Sequence, residues 1–297
     1  MVTRRELTLG AAAWAAGYRL FGASRAFAAG SFSEGLADRF ARIEQASGGR
    51  LGIGLLDTGG GAPVAHRGGE PFPMCSTFKV LAAGAVLARV DRGEDSLDRR
   101  LRYTLGEVVA YSPMSGPRAG GEGMTLAELC EAAVTVSDNT AANLLLGTMG
   151  GPAGLTAQLR DFGDATSRLD RTEPDLNEAV PGDPRDTTTP LAMAETLRRL
   201  VLGDALSPVS RALLTAWLVG CRTGDARLRA GLPKEWRIGD KTGSGEYDTA
   251  NDVAVIWPPR RAPLVLTVYL TEAKASPEAR SAAIASVARA VAASVTG

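Results

Sequence analysis

The sequence predicts an α+β fold in three layers (α/β/α), with an antiparallel five-stranded sheet flanked by the two terminal helices and an all-helical lobe inserted. Three observations carry this reading. Strand-like runs occur near both ends of the chain, helical spacing fills the middle, and a helix precedes the first strand and follows the last. The simplest packing brings the terminal strands into one sheet, and the cleft between sheet and helical lobe is the natural ligand site.

Residues 1–28 read as an export signal. Arg4 and Arg5 form a twin-arginine pair, an apolar run extends from Leu7 to Tyr18, and Ala26-Phe27-Ala28 supplies a small-residue cleavage site. The apolar run is shorter than the ~20 residues that span a bilayer. Thr3-Arg4-Arg5-Glu6-Leu7 resembles the twin-arginine export signal. A retained N-terminal helix is the alternative. Residues 29–297 then form one domain, with an α/β lobe (about 29–75 and 221–297) and a helical lobe (about 76–220). A periplasmic or secreted location follows, without stable membrane association.

Leu36, Phe40 and Ile43 recur at helical spacing, so 33–46 is an amphipathic helix that Gly48-Gly49 stops. Leu51 to Leu56 is a strand, and Gly59-Gly60-Gly61 turns the chain into a second short one. From Ser76 to about Gly220 the pattern is mostly helical, with loops at 112–123 and 163–188. Thr125 and Glu128 form a capping box, and Pro190 and Pro208 stand where first helical turns begin. Three Val- and Ile-rich runs follow, Trp236 to Lys241, Asn251 to Trp257 and Leu264 to Thr271, as an antiparallel meander. A last helix over 277–295 is capped by Ser276.

Composition narrows the function. Hydrophobic residues make up 45% of the chain, enough for a sizeable core, and 33 basic residues balance 33 acidic ones. No basic tract or basic-aromatic stripe marks a nucleic-acid surface, so the expected partner is a small molecule. The three cysteines, Cys75, Cys130 and Cys221, make no metal-ligand pattern, and their odd number leaves at least one free. His66 is the single histidine and reads as a surface-loop residue; with no His and Cys cluster, zinc is not expected, nor is any cofactor.

Three short motifs carry chemistry. Ser76-Thr77-Phe78-Lys79 opens a helical run, where positions i and i+3 share a face and the Lys79 amine reaches the Ser76 hydroxyl. A serine hydroxyl needs such a base to become a nucleophile, and a helix N-terminus favours the developing anion. Alone, the pattern equally describes a helix cap followed by a surface lysine. Ser137-Asp138-Asn139 lies between two helical runs: the serine can shuttle a proton, the Asn139 amide can bind an amide, and a capping turn has the same composition. Lys241-Thr242-Gly243 follows a strand-like segment, with a charge and a hydroxyl suited to a carboxylate and a glycine that permits close approach.

Together, in this order and at these separations, the motifs resemble the S-x-x-K, S-D-N and K-T-G set of class A β-lactamases and penicillin-binding proteins, over essentially the whole chain after the signal. Glu173-Pro174-Asp175-Leu176-Asn177 resembles the E-x-x-L-N segment of the class A enzymes, which penicillin-binding proteins lack. Glu173 and Asn177 lie i, i+4 and can hold one water. A carboxylate beside a cationic lysine stays ionised, ready to deprotonate that water. The resemblance implies hydrolysis of β-lactams through an acyl-enzyme on Ser76; a monomer is expected. A D-Ala-D-Ala peptidase and a non-hydrolytic β-lactam sensor are the rival readings, and Glu173 with Asn177 argues against both. Lys79 and Glu173 both stay open as the acylation base.

The remaining implications come from the resemblance alone. Residues 168–186 match an Ω-loop whose neck is clasped by Arg171 and Asp186, with a cis peptide between Glu173 and Pro174. Tyr111 matches an aromatic at the cleft mouth. Arg227 matches an arginine beside the K-T-G lysine that binds the substrate carboxylate, and Ser244 a hydroxyl that meets the same group. The backbone N–H groups of Ser76 and Ser244 match the oxyanion hole. The cysteines depart from the family: the partner positions of Cys130 and Cys75 read Ala83 and Gly245, so neither family disulfide can form. The segment from Tyr247 to Asp252 resembles the carbapenem-hydrolysing members, which leaves the substrate spectrum open.

Overall fold

A computed structural model describes residues 23–296, with side chains described from Gly35 to Val295. The twin-arginine pair and the apolar run after it lie outside the described residues. Helix α1 (Ala23–Ser47) begins well before position 33. Its first turns are rich in alanine, which favours helix without any apolar stripe, so periodicity is silent there. Gly48 ends it with φ of 66°.

The sheet consists of β1 (Arg50–Asp57), β2 (Val64–His66), β3 (Arg237–Gly245), β4 (Thr249–Trp257) and β5 (Leu264–Thr271). Their order is β2-β1-β5-β4-β3, antiparallel throughout. The two ends of the chain therefore share one sheet, as the pattern predicts. Side chains alternate between two cores, as the two-residue period of a strand requires. Ala250, Ala254 and Ile256 of β4, with Leu264, Leu266, Val268 and Leu270 of β5, face Leu36 and Phe40 of α1 and the last helix, over Pro277–Thr296. Val253, Val255, Val265 and Tyr269 face the helical lobe. On that second face Gly52 of β1 has no side chain because Phe72 and Pro190 press against it; a Cβ would lie 2.4 Å from the Phe72 ring.

The lobe is built around α2 (Phe78–Asp91), whose residues 78 to 88 are all buried, the mark of a helix surrounded on every side. Around it stand α3 (Leu126–Thr135), α4 (Asn139–Gly147), α5 (Gly151–Asp161) and α7 (Pro208–Val219), while α6 (Pro190–Val201) covers the sheet. The Thr125–Glu128 capping box closes α3, and Pro190 and Pro208 are the first residues of α6 and α7. The short α8 (Leu228–Gly231) packs on α9 (Pro277–Thr296), whose first turn is capped by Ser276.

Two expectations need correction. Lys241-Thr242-Gly243 does not follow the strand but lies within it, since β3 continues to Gly245. Glycines lower strand propensity and end the visible pattern, whereas pairing with β4 up to Gly245↔Thr249 keeps the chain extended. His66 is not a loop residue: it belongs to β2, half-buried, with Nε2 2.8 Å from Glu44 Oε2. All three cysteines are buried and free.

Candidate active site

β3 is an edge strand, and its free side meets the turn that leads into α2. Gly243 makes this approach possible, for a Cβ there would stand 2.9 Å from the Met74 carbonyl oxygen. Ser76 lies in that turn, a 3₁₀ segment (Cys75–Thr77) directly before α2. Cys75 has φ of 46°, a left-handed conformation that costs a non-glycine residue energy. The turn is held by Thr77 Oγ1 donating to the Met74 carbonyl at 2.8 Å and by Met74 N–H donating to Asp186 O at 2.8 Å.

Lys79, one turn into the lobe, is fully buried. Its Nζ donates to Asn139 Oδ1 at 2.6 Å, to Ser137 O at 2.8 Å and to Ser137 Oγ at 3.2 Å, and lies 2.9 Å from Glu173 Oε1. Burial pushes its pKa below the ordinary lysine value, and the Glu173 carboxylate opposes that shift. The spacing predicts a lysine that reaches the Ser76 hydroxyl; in the structure that hydroxyl donates instead to Glu173 Oε1, at 3.3 Å. Glu173 thus stands between serine and lysine, a placement fixed by a loop 97 residues away in sequence.

Ser137 connects α3 to α4 with φ of 61°. Its Oγ also accepts from Lys241 Nζ at 3.1 Å, so two buried amines share one hydroxyl. With both lone pairs engaged, its own hydrogen is directed elsewhere. Lys241 is pushed down to about 7 by burial and by the charge of Lys79. Asp138 caps α4 by accepting from Ala141 N–H at 2.9 Å, and it accepts from Met114 N–H and Ser115 N–H at 2.9 Å each, mooring the 112–123 loop. Asn139 Nδ2 donates to Ala110 O at 2.9 Å, fixing the segment that presents Tyr111, a 61% exposed ring at the cavity rim.

The loop carrying Glu173 is closed at its neck by Asp186, whose carboxylate accepts from Asp170 N–H, Arg171 N–H and Arg171 Nε at 2.7, 2.9 and 2.6 Å. The Arg171–Asp186 pair and the cis Glu173–Pro174 peptide agree with the sequence reading. Asn143, which no motif singles out, grips the backbone of Glu173 from α4: it accepts from Glu173 N–H and donates to Glu173 O, both at 2.9 Å. Asn177 Nδ2 donates to Glu173 Oε2 at 2.5 Å. Its Oδ1 is buried without a protein donor, so a water bound beside Glu173 would satisfy it.

The opposite wall belongs to β3. Thr242, Gly243 and Ser244 line a cavity of about 330 Å³ together with Ser76, Ser137, Asn139, Asn177, Tyr111, Arg227 and Thr223. Lys79, Glu173 and Lys241 stand behind its surface. Arg227 departs in detail from its expected role. Its Nη1 donates to Gly243 O and Asn251 O at 2.7 and 2.6 Å, and its Nη2 donates to Ser244 Oγ at 2.7 Å, so it braces the strand. Behind it, burial holds Asp252 well above the usual carboxylate range. Thr223 had no sequence signal; its Oγ1 lies 2.5 Å from Thr242 Oγ1. Among the described residues no group of His, Cys, Asp and Glu is arranged to hold a metal. The arrangement offers a hydroxyl nucleophile, a buried carboxylate beside it and a cationic wall for an anion.

The model of the beta-lactamase enzyme family matches residues 35–295. The chain is 54% identical to the beta-lactamase AST-1 of Nocardia asteroides over 253 residues, 85% of this chain and 81% of the relative. It is 51% identical to the beta-lactamase CTX-M-97 of Escherichia coli over 249 residues, 84% and 85% of the two chains. Among solved structures, an ancestral class A beta-lactamase superposes with a TM-score of 0.85 at 63% identity, covering 86% of this chain and 98% of that one.

Proposed function

The chain belongs to the class A β-lactamases and hydrolyses β-lactams, and from that premise we propose that Ser76 is the nucleophile, that Glu173 is the base in both half-reactions, and that penicillins and cephalosporins are substrates. The substrate enters with its carboxylate toward Lys241, Thr242 and Ser244, which Arg227 supports from behind. Asn139 meets the acyl-amide, and Tyr111 walls the cleft mouth. Glu173 takes the Ser76 proton as Oγ attacks the lactam carbonyl. The backbone N–H groups of Ser76 and Ser244 stabilise the anion, one such donor being worth ~10²–10³ in rate. As the C–N bond breaks, Ser137 passes its proton to the lactam nitrogen and is resupplied from Lys79, which takes back from Glu173 the proton that came from Ser76 and leaves the carboxylate ionised again. Glu173, with Asn177, then takes a proton from water as it attacks the ester carbonyl, and gives that proton to the Ser76 oxygen as the acyl–oxygen bond breaks, which returns both residues to their starting state.

The observation that supports this reading is the Glu173 carboxylate itself, with Oε1 on the Ser76 hydroxyl and Oε2 on the Asn177 amide. The chain acts as a monomer of one domain, residues 29–297, exported by the twin-arginine route with its first 28 residues removed, in the periplasm or outside the cell. Among the described residues no helix is long and apolar enough to cross a membrane. The direct test is Ser76→Ala: benzylpenicillin should persist and no covalent adduct should form. Turnover by this variant at a tenth of the parent rate or more would remove Ser76 from the mechanism.

A further inference from the structure

Thr223 lies in the turn after α7, outside every motif, yet lines the cavity beside Thr242. The two hydroxyl oxygens are 2.5 Å apart, so one hydrogen lies between them. A threonine hydroxyl has one hydrogen and two acceptor lone pairs. If Thr242 donated to Thr223, it would show the cleft only lone pairs, which repel an anion. If Thr223 donates to Thr242, the Thr242 hydrogen is left to form a charge-assisted bond with an anion in the cleft.

An anion in the cleft can only accept, so its presence selects the second arrangement, with Thr242 donating to the anion and Thr223 donating to Thr242. Cys221 Sγ lies 3.4 Å from Thr223 Oγ1, a contact in which either atom can donate. The other hydroxyl on this wall obeys the same logic. Arg227 Nη2 donates to Ser244 Oγ at 2.7 Å, and a guanidinium can only donate, so the Ser244 hydrogen is likewise left for the cleft. Each hydroxyl facing the anion site is backed by a donor.

We propose that Thr223 is a positioning residue that turns the Thr242 hydroxyl into a donor toward the substrate carboxylate, and thereby determines affinity for anionic β-lactams. The inference rests on the reading that Thr242 meets that carboxylate.

Three variants test it against the parent, Thr223→Val, Thr223→Ser and Thr242→Val, each with benzylpenicillin and with its methyl ester. Thr223→Val keeps the shape and removes the hydroxyl. It should raise KM for benzylpenicillin about tenfold, equivalent to about 1.4 kcal/mol, with kcat within about twofold and KM for the ester unchanged. Thr223→Ser should match the parent. If Thr242→Val raises KM for the acid while Thr223→Val does not, Thr223 has no such role although the carboxylate reading stands. If Thr242→Val also leaves KM unchanged, the carboxylate reading itself fails. An equal loss with acid and ester, or a Thr223→Ser variant as impaired as Thr223→Val, would reduce Thr223 to packing and overturn the inference.

Discussion

Replacing Glu173 by Gln keeps the size of the side chain and removes its capacity to take a proton. Two reactions are affected unequally. In the proposed mechanism Glu173 is the base for the hydrolytic water, so deacylation should lose the whole general-base contribution, ~10²–10⁴ in rate or about 2.7–5.4 kcal/mol. The Ser76 hydroxyl is held by Glu173 at 3.3 Å, a long bond, and Lys79 stands close enough to Ser137 and Glu173 to substitute in part. Acylation should fall less, about tenfold to a hundredfold by the same scale. The acyl-enzyme therefore accumulates. Stability changes too, because Lys79 is fully buried and loses its counter-ion. A buried pair broken on one side costs about 3–5 kcal/mol while the remaining group stays charged. Burial has already lowered the Lys79 pKa, and without Glu173 it falls further. The variant's native state then holds the Lys79 proton less tightly than the parent's does, so the stability deficit shrinks as pH rises toward the parent's own Lys79 pKa, which lies below the ordinary lysine value. Quenched-flow mass spectrometry with benzylpenicillin, with urea unfolding at pH 6.5 and 8.5, reads both effects. A Glu173→Gln variant that turns over penicillin at the parent rate, with no lasting adduct, would refute the assignment.

Two further outcomes follow from the same geometry. Lys241 is held at about 7, so it is cationic below that pH and neutral above it; KM for benzylpenicillin should climb, by up to about tenfold per pH unit, between pH 7 and 8.5 while KM for the methyl ester stays level, and a flat profile for the acid would contradict the charge assignment. Asp186→Asn removes the carboxylate that closes the Glu173 loop; Arg171 keeps Glu178 as a partner, so the loss should lie near 3 kcal/mol and lower Tm by about 6–12 °C in scanning calorimetry, whereas a shift under about 2 °C would show that the clasp is not what holds the loop.

Much of this site was legible in the sequence because its chemistry is local. Ser76 stands in the turn just before the helix that carries Lys79, and Asp138 caps one helix while Thr125 with Glu128 boxes another, the last two through contacts within four residues. The sheet was legible because Val253, Val255, Ala254 and Ile256 alternate between two cores. What stayed hidden depends on contacts across the fold. The Ser76 hydroxyl turns to Glu173, 97 residues on, because the loop neck at Asp186 and the amide of Asn143 bring that carboxylate to it. β3 runs past its propensity signal because β4 pairs with it. Arg227 is marked in the sequence by resemblance alone, and only the fold supplies the Gly243 and Asn251 carbonyls it braces. Thr223 has no periodicity or cap to mark it, and its meaning arises when Thr242 is placed 2.5 Å away.

The central claim is that Ser76 is acylated and that water then frees it. Following the intact mass of the parent protein after mixing with benzylpenicillin, while penicillin itself is monitored and the quenched adduct is mapped by peptide, tests both halves at once. A transient adduct on the peptide containing Ser76 and complete loss of penicillin are expected. A lasting adduct of one penicillin per chain with penicillin left over, or loss of penicillin with the adduct on another residue, would contradict it.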